Sequence, residues 1–182
     1  MTLPLIRLAR RVVGLIGIAL LVVLVVFTLF THLAPLTGRE LFIVGGGSME
    51  PSIPLGSLVV ASRTDPMTIA AGDVVTIRAD NGVVITHRVL RVVDRSEGRF
   101  FELKGDANLA PDASLVPARA IVGAADRFIP FAGFAQEYLA SLPGLLSAVG
   151  FLGALFLIYM LLEMVERSVR PSPSRAAEPT GP

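Results

Sequence analysis

The sequence contains no cysteine, and only one lysine, Lys104, against fifteen arginines. Without cysteine there are no disulfides, no thiolate nucleophile and no cysteine-based zinc site. This leaves the compartment open, because an exported domain can rely on its own core. A single lysine gives any lysine-dependent mechanism one candidate. The net charge is only +1 over 182 residues, so a global pull towards nucleic acid has no support, and no nucleic-acid partner is expected. Histidine occurs twice, as His32 and His87, and no cofactor or metal is expected. Apolar residues are abundant: they make up 53% of the chain, with a mean hydropathy of +0.69, above that of a typical soluble domain.

The apolar excess lies at the two ends. Val12 to Phe30 is nineteen residues without a charge or a proline, enough for a helix to span a hydrocarbon core about 30 Å thick. Arg7, Arg10 and Arg11 precede it, which favours a cytoplasmic N-terminus. The run exceeds the ~7–15 apolar residues of a cleaved secretory signal, so an uncleaved signal anchor is expected over residues 12–34, after a cytoplasmic segment 1–11. A second charge-free stretch, Tyr138 to Leu162, is apolar all round and reads as a second span over 138–162. Glu163 and Glu166 close it, and Arg167, Arg170 and Arg175 follow. Two spans put both termini on one side, so residues 37–137 are expected outside the cytoplasm and residues 163–182 inside it. The tail from Pro171 to Pro182, rich in Pro, Ser and Ala, reads as disordered.

Between the spans the texture changes. Leu41–Val44, Ser57–Ser62, Val74–Arg78, Val83–Val93, Phe100–Leu103 and Ala120–Phe128 are β-branched-rich runs separated by turn signals. Asp80-Asn81-Gly82 and Ser96-Glu97-Gly98 predict hairpin turns. No segment here has a helical period. An all-β domain of about 100 residues follows, flanked by one N-terminal and one C-terminal transmembrane helix. The apolar stretch Phe128 to Phe134 suits the bilayer interface or a packed lead-in to the second span.

The chemistry is concentrated in Val44-Gly45-Gly46-Gly47-Ser48-Met49-Glu50-Pro51. A predicted strand ends in three glycines, and Pro51 stiffens the chain just past Ser48. A rigid turn presenting a serine beside an open backbone edge suits a nucleophile that attacks a peptide laid alongside it. A serine hydroxyl needs a base. His32 closes the first span, whereas His87 lies mid-strand and shares a face with Ile85 and Val89. A lone histidine there is usually a core residue, so the case for His87 rests on pairing it with Ser48. Lys104 to Asp112 leaves a strand through a polar turn that carries two carboxylates, Asp106 and Asp112. Either could orient an imidazole.

In this order, the segments resemble type I signal peptidases, membrane-bound serine endopeptidases with a β fold shared with LexA-like proteins. Gly47-Ser48-Met49-Glu50-Pro51 matches the nucleophile box and Ala71-Gly72-Asp73-Val74-Val75 a structural strand. Thr86-His87-Arg88-Val89 matches the base box, and Lys104-Gly105-Asp106-Ala107-Asn108 the acidic box. Histidine in the base box is similar to the endoplasmic-reticulum and archaeal branch rather than the lysine branch. The resemblance implies Ser48 as nucleophile, His87 as general base, Asp112 as the acid that orients it and Asp106 as a supporting acid. One departure stands out. The family commonly carries serine two residues before the nucleophile, where this chain has Gly46, so the oxyanion would rely on backbone N–H groups such as that of Ser48.

The resemblance implies removal of N-terminal signal peptides from exported proteins at the plasma membrane, after small Ala-x-Ala-like residues. Signal peptides and the lipid bilayer are then the partners, and the sequence does not reveal other subunits. Substrate would lie extended along Leu41–Val44, with Val44, Gly46, Gly47, Ser48 and Met49 lining its site. A dedicated enzyme for a few surface or pilus proteins is the main alternative, followed by an impaired accessory subunit. A LexA-like self-cleaving repressor would need a catalytic lysine and a DNA-binding module, and neither is apparent.

Overall fold

A computed structural model describes residues 2–79 and 81–169; the expected disordered tail and Asp80 of the first predicted turn lie outside them. The chain divides into a helical unit, made of the residues up to Phe27 and from Leu142 onward, and a second unit, Thr28–Ser141.

In the helical unit, α1 (Thr2–Leu33) and α3 (Leu142–Val169) are both long and apolar enough to cross a membrane. α1 extends the apolar run towards the N-terminus through the three arginines. At 1.5 Å per residue each helix exceeds the ~30 Å of hydrocarbon it would cross. The helices run antiparallel. Glu166, 2% exposed, accepts from Arg7 at 3.0 Å and lies 3.1 Å from Arg10. The Arg10 guanidinium stands 5.6 Å from the Tyr159 ring centroid, and Gly14 leaves room for that ring. Apolar surfaces give two such helices little mutual preference in lipid, so these charges and the close approach at glycine hold the pair.

The second unit is a seven-stranded antiparallel sheet in the order β1-β2-β7-β3-β4-β5-β6. Its strands are β1 (Arg39–Ile43), β2 (Leu58–Ser62), β3 (Val74–Arg78), β4 (Val84–Arg95), β5 (Gly98–Lys104), β6 (Val116–Pro117) and β7 (Ile121–Ile129). β3 has the bounds its alternation predicts, and Ser96-Glu97 closes the β4–β5 hairpin, with Arg95 opposite Gly98. β6 has no counterpart among the predicted strands, because two residues carry no period. Register shifts in the β2–β7, β3–β7 and β4–β5 pairs mark bulges, which bend strands and increase twist. The sheet curls far enough for β1, at one edge, and the start of β4 to line one cleft.

One core cluster gathers Ile69, Val75, Ile77, Val89, Phe101 and Leu103. A smaller one places Met49, Ile53 and Val59 beneath the turn that carries Ser48. The unit also contains a helix, α2 (Ala132–Ala140), contrary to the expectation of no helical segment. Its Ala, Gln, Glu and Leu are good helix formers, and its short length hides the period. Phe131 is 63% exposed, whereas the Phe134 ring occupies the space a Cβ on Gly56 would need.

Candidate active site

β1 ends at Ile43, and the chain turns back on β2 through two backbone bonds. The N–H of Val44 donates to the carbonyl of Ser57, and that of Gly56 donates to the carbonyl of Val44, both at 2.9 Å. Met49 is 1% exposed and anchors the turn in the core, while the N–H of Glu50 closes it on the carbonyl of Gly47 at 3.1 Å. The Glu50–Pro51 peptide bond is cis. Ser48 is left at the lip of a cleft of about 210 Å³.

Strand alternation points His87 inward from β4, where it is 6% exposed. Its Nε2 lies 3.1 Å from Ser48 Oγ, and its Nδ1 lies 2.7 Å from Asp112 Oδ2. An ionised carboxylate only accepts, so Nδ1 carries the proton and Nε2 accepts from the hydroxyl. This arrangement can draw a proton off a serine and stabilise the resulting imidazolium. Asp112 is fixed by its own N–H, which donates to the carbonyl of Leu103 at 2.8 Å.

The two carboxylates of the acidic turn separate. Asp106 accepts a two-point bond from Arg88, Nε at 2.9 Å and Nη2 at 2.7 Å, while Arg88 Nη1 reaches the carbonyl of Gly72 at 2.9 Å. Hydrogen bonding to Arg88 holds the Asp106 carboxyl below its ordinary range, against the opposing effect of burial. The same bond raises Arg88. Neighbours on β4 therefore serve two members of one turn, with His87 facing Asp112 and Arg88 fastening Asp106. Lys104 is the register partner of Arg88, on the opposite face of the sheet from His87.

The acidic turn also touches the serine directly. The N–H of Ala107 donates to the carbonyl of Ser48 at 2.8 Å. A Cβ on Gly105 would stand 2.5 Å from that oxygen and 2.9 Å from Ser48 Cβ, so only glycine fits. Gly105 and Arg88 have no role legible from residue type alone, although both lie inside the matched boxes. Of the residues expected to line the substrate site, Val44, Gly46, Ser48 and Met49 border the cleft, with Phe42, Ile43, Val84, Ile85 and Thr86 besides. Gly47 does not border it, because it faces Glu50. A side chain at Gly46 would meet nothing within 4 Å. His32 is bound instead to the carbonyl of Thr28 on α1 at 2.8 Å.

No family model matches the chain. Among curated proteins it is similar to signal peptidase I W of Bacillus subtilis, 36% identical over 80 residues that cover 43% of this chain and 42% of that protein. It is similar to the signal peptidase complex catalytic subunit sec11 of Penicillium rubens, 32% identical over 127 residues, 65% of this chain and 73% of the subunit. With human signal peptidase complex catalytic subunit SEC11C it shares 32% over 124 residues, 61% of this chain and 64% of that protein. The chain thus spans less than two thirds of the bacterial and human relatives.

Proposed function

We infer the activity from the family this chain belongs to, the type I signal peptidases, in their endoplasmic-reticulum-type branch. It is a membrane-bound serine endopeptidase that cleaves N-terminal signal peptides from exported proteins. The observation that carries the chemical reading is the chain Ser48–His87–Asp112 at the lip of a cleft bordered by the end of β1.

In the first step His87 Nε2 takes the proton of Ser48 as Oγ bonds to the carbonyl carbon of the scissile peptide. Asp112 accepts from Nδ1 and stabilises the imidazolium. The carbonyl oxygen becomes an oxyanion, which backbone N–H groups such as that of Ser48 stabilise. Collapse breaks the C–N bond, and Nε2 returns its proton to the leaving amine. Water, deprotonated by His87, then hydrolyses the acyl-serine ester and restores the hydroxyl. Substrate lies along the free edge of β1, and a cleft of about 210 Å³ suits small side chains of the Ala-x-Ala kind.

The helical unit anchors the enzyme in the cell membrane, with both termini cytoplasmic and the sheet domain outside; arginines at the outer ends of both apolar helices favour this orientation. Ser48→Ala should abolish processing of a secreted reporter in cells depleted of other signal peptidases, with the protein still present in the membrane. Full processing by that variant would end the assignment.

A further inference from the structure

Glu40 and Arg78 form an ion pair at 3.7 Å, although their strands, β1 and β3, are not neighbours in the sheet: β2 and β7 lie between them. The pair therefore joins two strands that share no ladder. Glu40 stands two residues before Phe42, on the same face of β1, and Arg78 is the register partner of Val84. Phe42 and Val84 both line the cleft beside Ser48. Glu40 and Arg78 do not line it. They line a second groove of about 600 Å³ together with Arg63, Asp65 and Arg119. The ion pair thus stands one step past the lining of the cleft on both strands, in the second groove.

We propose that Glu40 and Arg78 are a specificity-determining pair that acts as a wall just past the lining of the substrate cleft, between it and the second groove. The inference rests on the peptidase reading, with the residues upstream of the cut lying along β1. From Val44 back to Glu40 is four residues, or about 13 Å of extended chain. The wall therefore accepts about four extended residues upstream of the scissile bond and turns the rest of the substrate away from the sheet. Opening the wall joins the cleft to the second groove, where three arginines face two acids, so upstream acidic residues would then be drawn in.

The test is a ladder of peptides with one cleavage sequence and four, six or eight upstream residues, the two longer ones each made with Asp or with Ser at the fifth and sixth positions. The full chain, held in lipid nanodiscs, should show a KM that does not change beyond four upstream residues. Glu40→Gln opens the wall and frees Arg78, so KM for the longer peptides falls with kcat unchanged, most for those carrying Asp. An exposed ion pair limits the change to about two- to fivefold. Arg78→Gln should give the length effect without the preference for Asp, and the charge-swapped Glu40→Arg, Arg78→Glu double variant should return the wild-type profile. Dissociation constants of the same ladder on the Ser48→Ala protein read the wall without cleavage. Identical length profiles in all variants, or a wild-type affinity still rising from six to eight residues, would overturn the proposal. Binding of the ladder without any cleavage by the wild type would instead overturn the peptidase reading.

Discussion

Replacing Gly105 by alanine places a methyl group against the back of Ser48. Its carbon would stand 2.5 Å from the carbonyl oxygen of Ser48 and 2.9 Å from both Ser48 Cβ and Asn108 Nδ2, where ordinary contact is 3.4–4 Å. The backbone oxygen is also tied to the N–H of Ala107 at 2.8 Å, so the turn cannot swing aside without breaking that bond. Relief requires Ser48 or the acidic turn to move by about 0.9 Å, the difference between 3.4 and 2.5 Å. Either movement spoils the 3.1 Å contact between Oγ and Nε2. A misplacement of about 1 Å costs on the order of 10²-fold in rate, while overpacking costs about 1–3 kcal/mol of stability. Gly105→Ala should therefore remain folded and lose about 10²-fold in kcat, with KM little changed. Steady-state cleavage of a signal-peptide reporter by the purified full chain measures this, with thermal unfolding to confirm the fold. Gly46→Ala is the matched control: nothing lies within 4 Å of the added carbon, so the steric cost should be absent. A Gly105→Ala enzyme within threefold of wild-type kcat would refute the account of this contact.

The two acids of the turn should separate on substitution. Asp112→Asn removes the negative charge facing Nδ1 and lets an amide N–H donate to it, which favours the wrong tautomer and should cost about 10⁴-fold in kcat, whereas Asp106→Asn acts through the position of the turn and should cost far less; pre-steady-state acylation rates distinguish them. Arg88→Gln should lower stability in a pH-dependent way. Because the folded Asp106 carboxyl is depressed, its contribution is complete above the ordinary aspartate range and is lost as pH falls through the lower, folded value. The difference between wild type and Arg88→Gln should thus be largest at neutral pH and close below about pH 4, as urea unfolding across pH would record. The absence of native cysteine makes orientation directly measurable. In intact cells, Ser96→Cys should react with an impermeant maleimide and Ser168→Cys should not, and the reverse pattern would invert the proposed topology.

Much of the sheet was legible because β-branched runs and turn residues alternate on a scale of a few residues. Val74–Arg78 and the Ser96-Glu97 turn need no knowledge of the rest of the chain. His87 was legible by the same alternation, which places it on the face of Val89. What escaped is non-local or too short to carry a period. β6 is two residues long, and α2 has a composition that a lead-in segment also shows. The contact of Gly105 with Ser48 joins positions 57 residues apart in numbering. The Glu40–Arg78 pair depends on how far bulges curl the sheet, a sum of small bends that no segment encodes alone. The sequence left Asp106 and Asp112 as alternatives on residue type and turn. The geometry parts them because adjacent residues of β4 face opposite sides of the sheet, so His87 and Arg88 require separate acids.

The ionic clasp between the two long helices has a consequence for the order in which the molecule is made. Arg7 and Glu166 are 159 positions apart, so a growing chain exposes the arginine long before its acid exists. The sheet, by contrast, has all its strands once Ile129 has emerged. Biosynthesis therefore delivers the sheet first and α3 afterwards, and the two long helices become a closed pair only when Glu166 arrives.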